Sequence, residues 1–169
     1  MKTRSSRASL PALCLLGAAL AAGPLPAAPG DLPEDHRTLA KSTSYDAMAA
    51  FLKTVDGKGP VTVSEEGKTA QGRNVYLVHA RGSATATFRV LFYAQQHGDE
   101  VSGKDALLYL VRDIAREPSR LPKDVDLWVM PMMNPDGAEA GTRRNSAGAD
   151  LNRDHVTLFQ PETEALHRV

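Results

Sequence analysis

The chain has 169 residues, enough for one domain, with 42% hydrophobic residues and a formal net charge of zero. That balance gives no reason to expect a nucleic-acid partner. The one cysteine, Cys14, falls in the N-terminal apolar stretch, so an exported, processed chain would have neither a disulfide nor a thiol nucleophile.

Residues 1–28 read as a secretory signal peptide. Lys2, Arg4 and Arg7 form a positive start, and Leu10 to Ala22 is an apolar core too short to span a bilayer comfortably. Small residues around Leu25-Pro26-Ala27-Ala28 offer a cleavage site. Cleavage would leave a mildly acidic chain, secreted or periplasmic, with no stable membrane association. Residues 29–43 read as a flexible leader. The domain proper is expected over residues 44–169.

Tyr45 to Val55 has helical periodicity, with Ser44 or Thr43 as cap and Gly57 as terminator. Val61–Val63 and Asn74–Val78 read as the strands of a hairpin, with turns expected at Glu66-Gly67-Lys68 and Gln71-Gly72-Arg73. Phe88 to Ala94 is nearly unbroken apolar sequence, as in a strand covered on both faces. Lys104 to Arg116 is an amphipathic helix that groups Leu107, Leu108, Val111, Ile114 and Ala115. Val125 to Met130 is a second buried strand, and Pro161 opens a helix that runs to Arg168. The order predicts an α/β fold: a mixed, mostly parallel sheet flanked by helices, with a right-handed crossover. Ligands of such sheets lie beyond the carboxyl ends of the strands, where His97, Glu100 and the loop after Met132 fall.

His97 and Glu100 are three residues apart at a strand-to-helix junction, so a helical turn there would aim both at one ion. Imidazole nitrogen with carboxylate oxygen suits Zn²⁺, but a catalytic zinc needs three protein ligands. His155 and His167 are the remaining candidates, and each reads more readily as a surface or helix-packing residue. Arg143 to Arg153 is rich in guanidinium and amide groups. These can hold a carboxylate through paired hydrogen bonds and, beside a metal, stabilise a developing oxyanion.

Five segments taken together resemble the zinc carboxypeptidases of the carboxypeptidase A type. They are Gly67 to Arg73, His97 to Glu100, Asn134 to Gly137, Arg143 to Arg153 and Pro161 to Thr163. The resemblance implies that His97 and Glu100 are the first two zinc ligands. It implies that Arg143 polarises the scissile carbonyl, and that Asn152 and Arg153 dock the substrate's terminal carboxylate. Asp150 matches the aspartate that accepts a hydrogen bond from the first histidine ligand, a contact that fixes the ring's tautomer. Asn134 to Gly137 is expected to shape its loop rather than to touch substrate.

The implied cofactor is Zn²⁺, and the implied partner is a peptide or protein with a free C-terminal carboxylate. The family's third ligand, catalytic glutamate, closing tyrosine and specificity pocket have no counterpart here. The expectation is therefore a truncated fold, the signal peptide plus the first half of such an enzyme, poorly stable and inactive alone. Two other readings remain: a related zinc amidohydrolase acting on acyl-amino acids or cell-wall peptides, and a non-catalytic remnant.

Overall fold

The computed structural model describes residues 42–169, so the expected signal peptide and most of the expected leader lie outside the described residues. Helix α1 spans Tyr45–Val55. Its Met48, Phe51, Leu52 and Val55 recur at helical spacing and are buried, and Ser44 caps its start by accepting from the Ala47 amide. Gly57, just past the helix, has φ +73, which a residue with a Cβ adopts only at a cost.

Strands β1 (Val61–Lys68) and β2 (Asn74–Arg81) form the expected hairpin, with both strands longer than their apolar cores suggest. The turn expected at Glu66-Gly67-Lys68 is instead a register irregularity inside β1, between Glu65 and Gly67. The chain reverses only at Thr69–Arg73, where the Thr69 amide donates to the Arg73 carbonyl at 2.9 Å and Gly72 has φ +82.

Strand β3 (Phe88–Tyr93), helix α2 (Ser102–Arg116) and strand β4 (Val125–Met130) make a strand–helix–strand unit with β3 parallel to β4. Helices α3 (Pro135–Ala140) and α4 (Pro161–His167) follow, Pro161 standing in the first turn of α4 as expected. Among the described residues the sheet has four strands in the order β1-β2-β4-β3. It is mixed: the β1–β2 and β2–β4 pairs are antiparallel and the β3–β4 pair parallel. The balance leans antiparallel because the hairpin docks on β4 through β2.

The two central strands are covered on both sides. Tyr76, Val78, Ala80, Leu127 and Val129 pack against α1 and α2, while Val75, Leu77 and Met130 pack against Leu151 and the α4 residues Ala165 and Leu166. Burying a side chain such as Leu108 or Ile114 of α2 in the first layer contributes about 1.5–3 kcal/mol.

The apolar run that the sequence suggests is covered on both faces, Phe88 to Tyr93, is the exposed edge strand instead. Phe88 is 61% exposed and Phe92 47%, and only Val90 is packed against the α1–α2 core. The reason is the strand order: among the described residues β3 pairs only with β4, and of its side chains Val90 reaches the α1–α2 core. The chain enters the domain through a polar anchor. Buried Lys104 donates to Ser42 Oγ at 2.7 Å and to the Thr43 carbonyl, and Asp105 accepts from the Ser42 hydroxyl and the Thr43 amide. Among the described residues no helix is long and apolar enough to cross a membrane.

Candidate functional site

Beyond β3 and β4 the two chains stay joined for several residues. The Ala94 amide donates to the Met130 carbonyl at 3.0 Å, Met133 N to Ala94 O at 2.9 Å, and Asn134 N to Gln95 O at 3.1 Å. Gln95 takes the left-handed conformation at φ +50 while buried, and its amide donates to the Gly98 carbonyl at 2.8 Å. A strained, over-determined residue at a strand end is a common accompaniment of a functional loop.

Asn134 binds this loop to the next one. Its side chain is fully buried, caps α3 by accepting from Gly137 N at 2.9 Å, and donates to the carbonyls of Gln96 and Arg143, both at 3.3 Å. The Gly98 amide also donates to the Arg143 carbonyl at 3.3 Å. The two loops touch backbone to backbone: a Cβ on Gly98 would stand 2.1 Å from the carbonyl carbon of Gly137. The Asn134–Gly137 segment therefore shapes the loop as expected, and it also begins helix α3, which the sequence reading left out.

On this frame four polar side chains come together. The Glu100 amide donates to the His97 carbonyl at 3.1 Å, closing the turn that aligns their side chains. His97 Nδ1 lies 3.0 Å from Glu100 Oε1, and its Nε2 lies 3.2 Å from Asp150 Oδ1. Arg143 stands across from them, its Nη1 3.6 Å from Glu100 Oε1 and its Nε 3.5 Å from Asp150 Oδ2. His97 is largely buried, whereas Glu100 and Arg143 are open to solvent. Asp150 also accepts from the Asn152 amide at 3.0 Å, which caps the single 3-10 turn Leu151–Arg153. Burial pushes the Asp150 carboxyl up, but the Asn152 amide, His97 and Arg143 outweigh it and hold it below the usual carboxylate range.

With its proton on Nε2, donated to an ionised Asp150, His97 would present the Nδ1 lone pair toward the Glu100 carboxylate. Two electron-rich atoms facing each other at 3.0 Å suit a shared cation, so this donor pair fits part of a zinc site. Among the described residues no group of three His, Cys, Asp or Glu side chains is placed to hold a metal. His155 and His167 do not join His97; they pair with each other at 3.0 Å. Asn152 and Arg153 lie exposed on the turn that Asp150 caps, and Arg153 Nη1 reaches the Asn152 carbonyl at 3.5 Å.

Two supporting carboxylates escaped the sequence reading. Buried Asp136 accepts from Thr69 Oγ1 at 2.8 Å, Gln71 N at 3.2 Å, Arg73 Nη1 at 2.8 Å and Ser146 Oγ at 2.7 Å. It thereby joins the hairpin turn to the segment between Arg143 and Asp150, and gives the Gly67–Arg73 motif its physical role. Asp154 accepts from the amides of Phe159 and Gln160 and from the hydroxyls of Thr157 and Thr163. Burial raises its carboxyl, and these donors overcome that and pull it down to about 2. Asp136 was hidden because its hairpin partners are more than sixty residues away in sequence, whereas the partners of Asp154 are local and the Thr residues that follow it were the available signal.

The sequence model of the zinc carboxypeptidase family matches residues 48–167. Mouse carboxypeptidase M is 33% identical over 150 residues, a match covering 72% of this chain and 34% of that protein. The crystal structure of a metallo-carboxypeptidase from Burkholderia cenocepacia superposes with a TM-score of 0.65 at 31% identity, covering 72% of this chain and 36% of that one. A metallo-carboxypeptidase from Pseudomonas aeruginosa, solved with (2-guanidinoethylmercapto)succinic acid, superposes at 0.60 with 29% identity, covering 72% and 35%. The chain thus spans about a third of the length of these relatives. With the family model matched over residues 48–167 and a related crystal structure superposing at 31% identity, the chain belongs to the zinc carboxypeptidase family.

Proposed function

We propose that this chain carries part of the catalytic site of a zinc-dependent carboxypeptidase that acts on peptides with a free C-terminal carboxylate, exported through residues 1–28. The observation that carries the reading is the convergence of His97, Glu100, Asp150 and Arg143 at the carboxyl ends of two parallel strands. His97 Nδ1 and the Glu100 carboxylate would hold the zinc ion, which supplies Lewis acidity toward the scissile carbonyl when bound. Asp150 keeps the His97 proton on Nε2 and so presents Nδ1 as a donor. The long contacts of Arg143 to Glu100 and Asp150 leave its guanidinium able to turn to a substrate carbonyl and the charge that develops there. Asn152 and Arg153, exposed beside it, would fasten the substrate's terminal carboxylate, Arg153 through a two-pronged contact that lysine cannot reproduce. The ligand of the Pseudomonas aeruginosa relative, a succinic acid derivative, is consistent with such carboxylate docking.

With two metal donors brought together and no third among the described residues, this chain alone is expected to turn over little or no peptide. The test therefore reads binding as well as hydrolysis. The zinc-loaded chain is titrated with a short peptide bearing a free C-terminal carboxylate, and with its C-terminal amide. Preference for the free acid, lost in Arg153→Ala and reduced in Asn152→Ala, is expected. Equal binding of acid and amide would overturn the docking role, and brisk zinc-dependent hydrolysis would overturn the expectation of inactivity.

A further inference from the structure

The histidines left over from the site described above face one another. His155 follows the 3-10 turn Leu151–Arg153, and His167 ends α4. His155 Nδ1 and His167 Nε2 are 3.0 Å apart, with ring centroids 5.3 Å apart. The other nitrogen of His155 lies 2.6 Å from the Gln96 side-chain amide, and the ring leans against Tyr93 at 6.4 Å between centroids. The ion pairs that histidines make among the described residues belong to His79 and His97, so these two rings face each other without a carboxylate between them.

We propose that His155 and His167 form a second metal site, a two-imidazole chelate for a late first-row divalent cation of the zinc class. Neutral imidazole nitrogens are preferred donors for such ions. The two rings come from different elements and are already aimed at each other, so little ordering remains for an ion to impose. A ligating imidazole needs a partner for its other ring nitrogen, and the Gln96 amide can supply one. Turned to present its oxygen, it accepts the Nε2 proton of His155 and leaves Nδ1 bare toward His167. Gln96 precedes His97 directly, so the second ion would sit beside the first site without sharing a ligand with it. The inference does not depend on whether the chain hydrolyses peptides.

The full chain, ¹⁵N-labelled and stripped of metal with chelator, is titrated with Zn²⁺ alone at neutral pH while imidazole nitrogens are followed by NMR. The expected result is that His155 Nδ1 and His167 Nε2 shift together along one saturation curve, and that His97→Ala leaves that curve in place. His167→Gln, at an exposed position on the end of α4 and checked for folding by circular dichroism, should weaken zinc binding at His155 about tenfold or more. The proposal is overturned if the two imidazoles do not move, if His97→Ala abolishes their shifts, or if His167→Gln leaves the affinity at His155 unchanged. In the last two cases the pair is a shared hydrogen bond and nothing more.

Discussion

Asp136 and Asp150 stand on the same stretch of chain and do opposite work. Asp136 is buried and surrounded by donors that belong to the scaffold: a hairpin hydroxyl and amide, the Arg73 guanidinium and the Ser146 hydroxyl. Every contact it makes ties the start of α3 to another segment of the scaffold. Asp150 holds a backbone amide too, but its other partners are the largely buried imidazole of His97 and, at longer range, the exposed guanidinium of Arg143. A carboxylate saturated by fixed donors is a structural tie. One that shares itself between a histidine and a loosely held arginine sets the chemistry of its neighbours. Two residues of one type thus divide the work between holding the scaffold and serving the proposed zinc site.

Removing the tie should have the larger effect. Asp136→Ala strips the buried Arg73 contact and leaves the Thr69 and Ser146 hydroxyls without their acceptor, and should cost about 3 kcal/mol in urea denaturation. Asp150→Ala should cost less, about 1 kcal/mol from the lost cap on the Leu151–Arg153 turn, yet weaken zinc binding at His97 about tenfold by calorimetry, because the imidazole loses the group that orients it. If instead both variants unfold alike, the separation drawn here is mistaken.

Acid and base sharpen the contrast among the remaining carboxylates. With Asp154 held down to about 2, its stabilising contribution is full above the ordinary aspartate value of about 3.9 and disappears as pH falls toward its folded value. Asp136 is depressed in the same sense and adds to this acid sensitivity. Glu162 behaves oppositely. It is fully buried with Oε1 unpartnered, and burial together with the nearby charges of Asp136 and Asp154 raises it despite the Asn145 amide. The contribution of its neutral form is full below the ordinary glutamate value of about 4.3 and is lost as pH rises through the folded value. Glu162→Gln should therefore lose less stability than the parent as pH rises above the ordinary glutamate value of about 4.3, read in urea midpoints. A parallel decline in both proteins would contradict the assignment.

The smallest change in stability is expected on the edge strand. Phe88→Ser removes a ring that is 61% exposed, so it should shift folding stability by only about 0.5 kcal/mol while lowering self-association measured by light scattering.

Local signals in the chain determined a good deal. Ser44 and Gly57 bound α1, the spacing of Leu108, Val111 and Ile114 marks α2, and Pro161 opens α4, because capping and periodicity act over a few residues. The short separation of His97 from Glu100 likewise predicts that the two side chains meet across one turn, as they do at 3.0 Å. Tertiary structure decided what depends on distant partners. The run Phe88 to Tyr93 reads the same whether central or at an edge, and strand order puts it at the edge. Asp136 collects donors from the hairpin turn and from the Ser146 loop, and His155 meets His167 across a loop, so neither arrangement leaves a periodic trace. Hydrogen bonds between segments far apart in sequence form only once the core has brought their backbones together, and no local pattern encodes which pairs will meet.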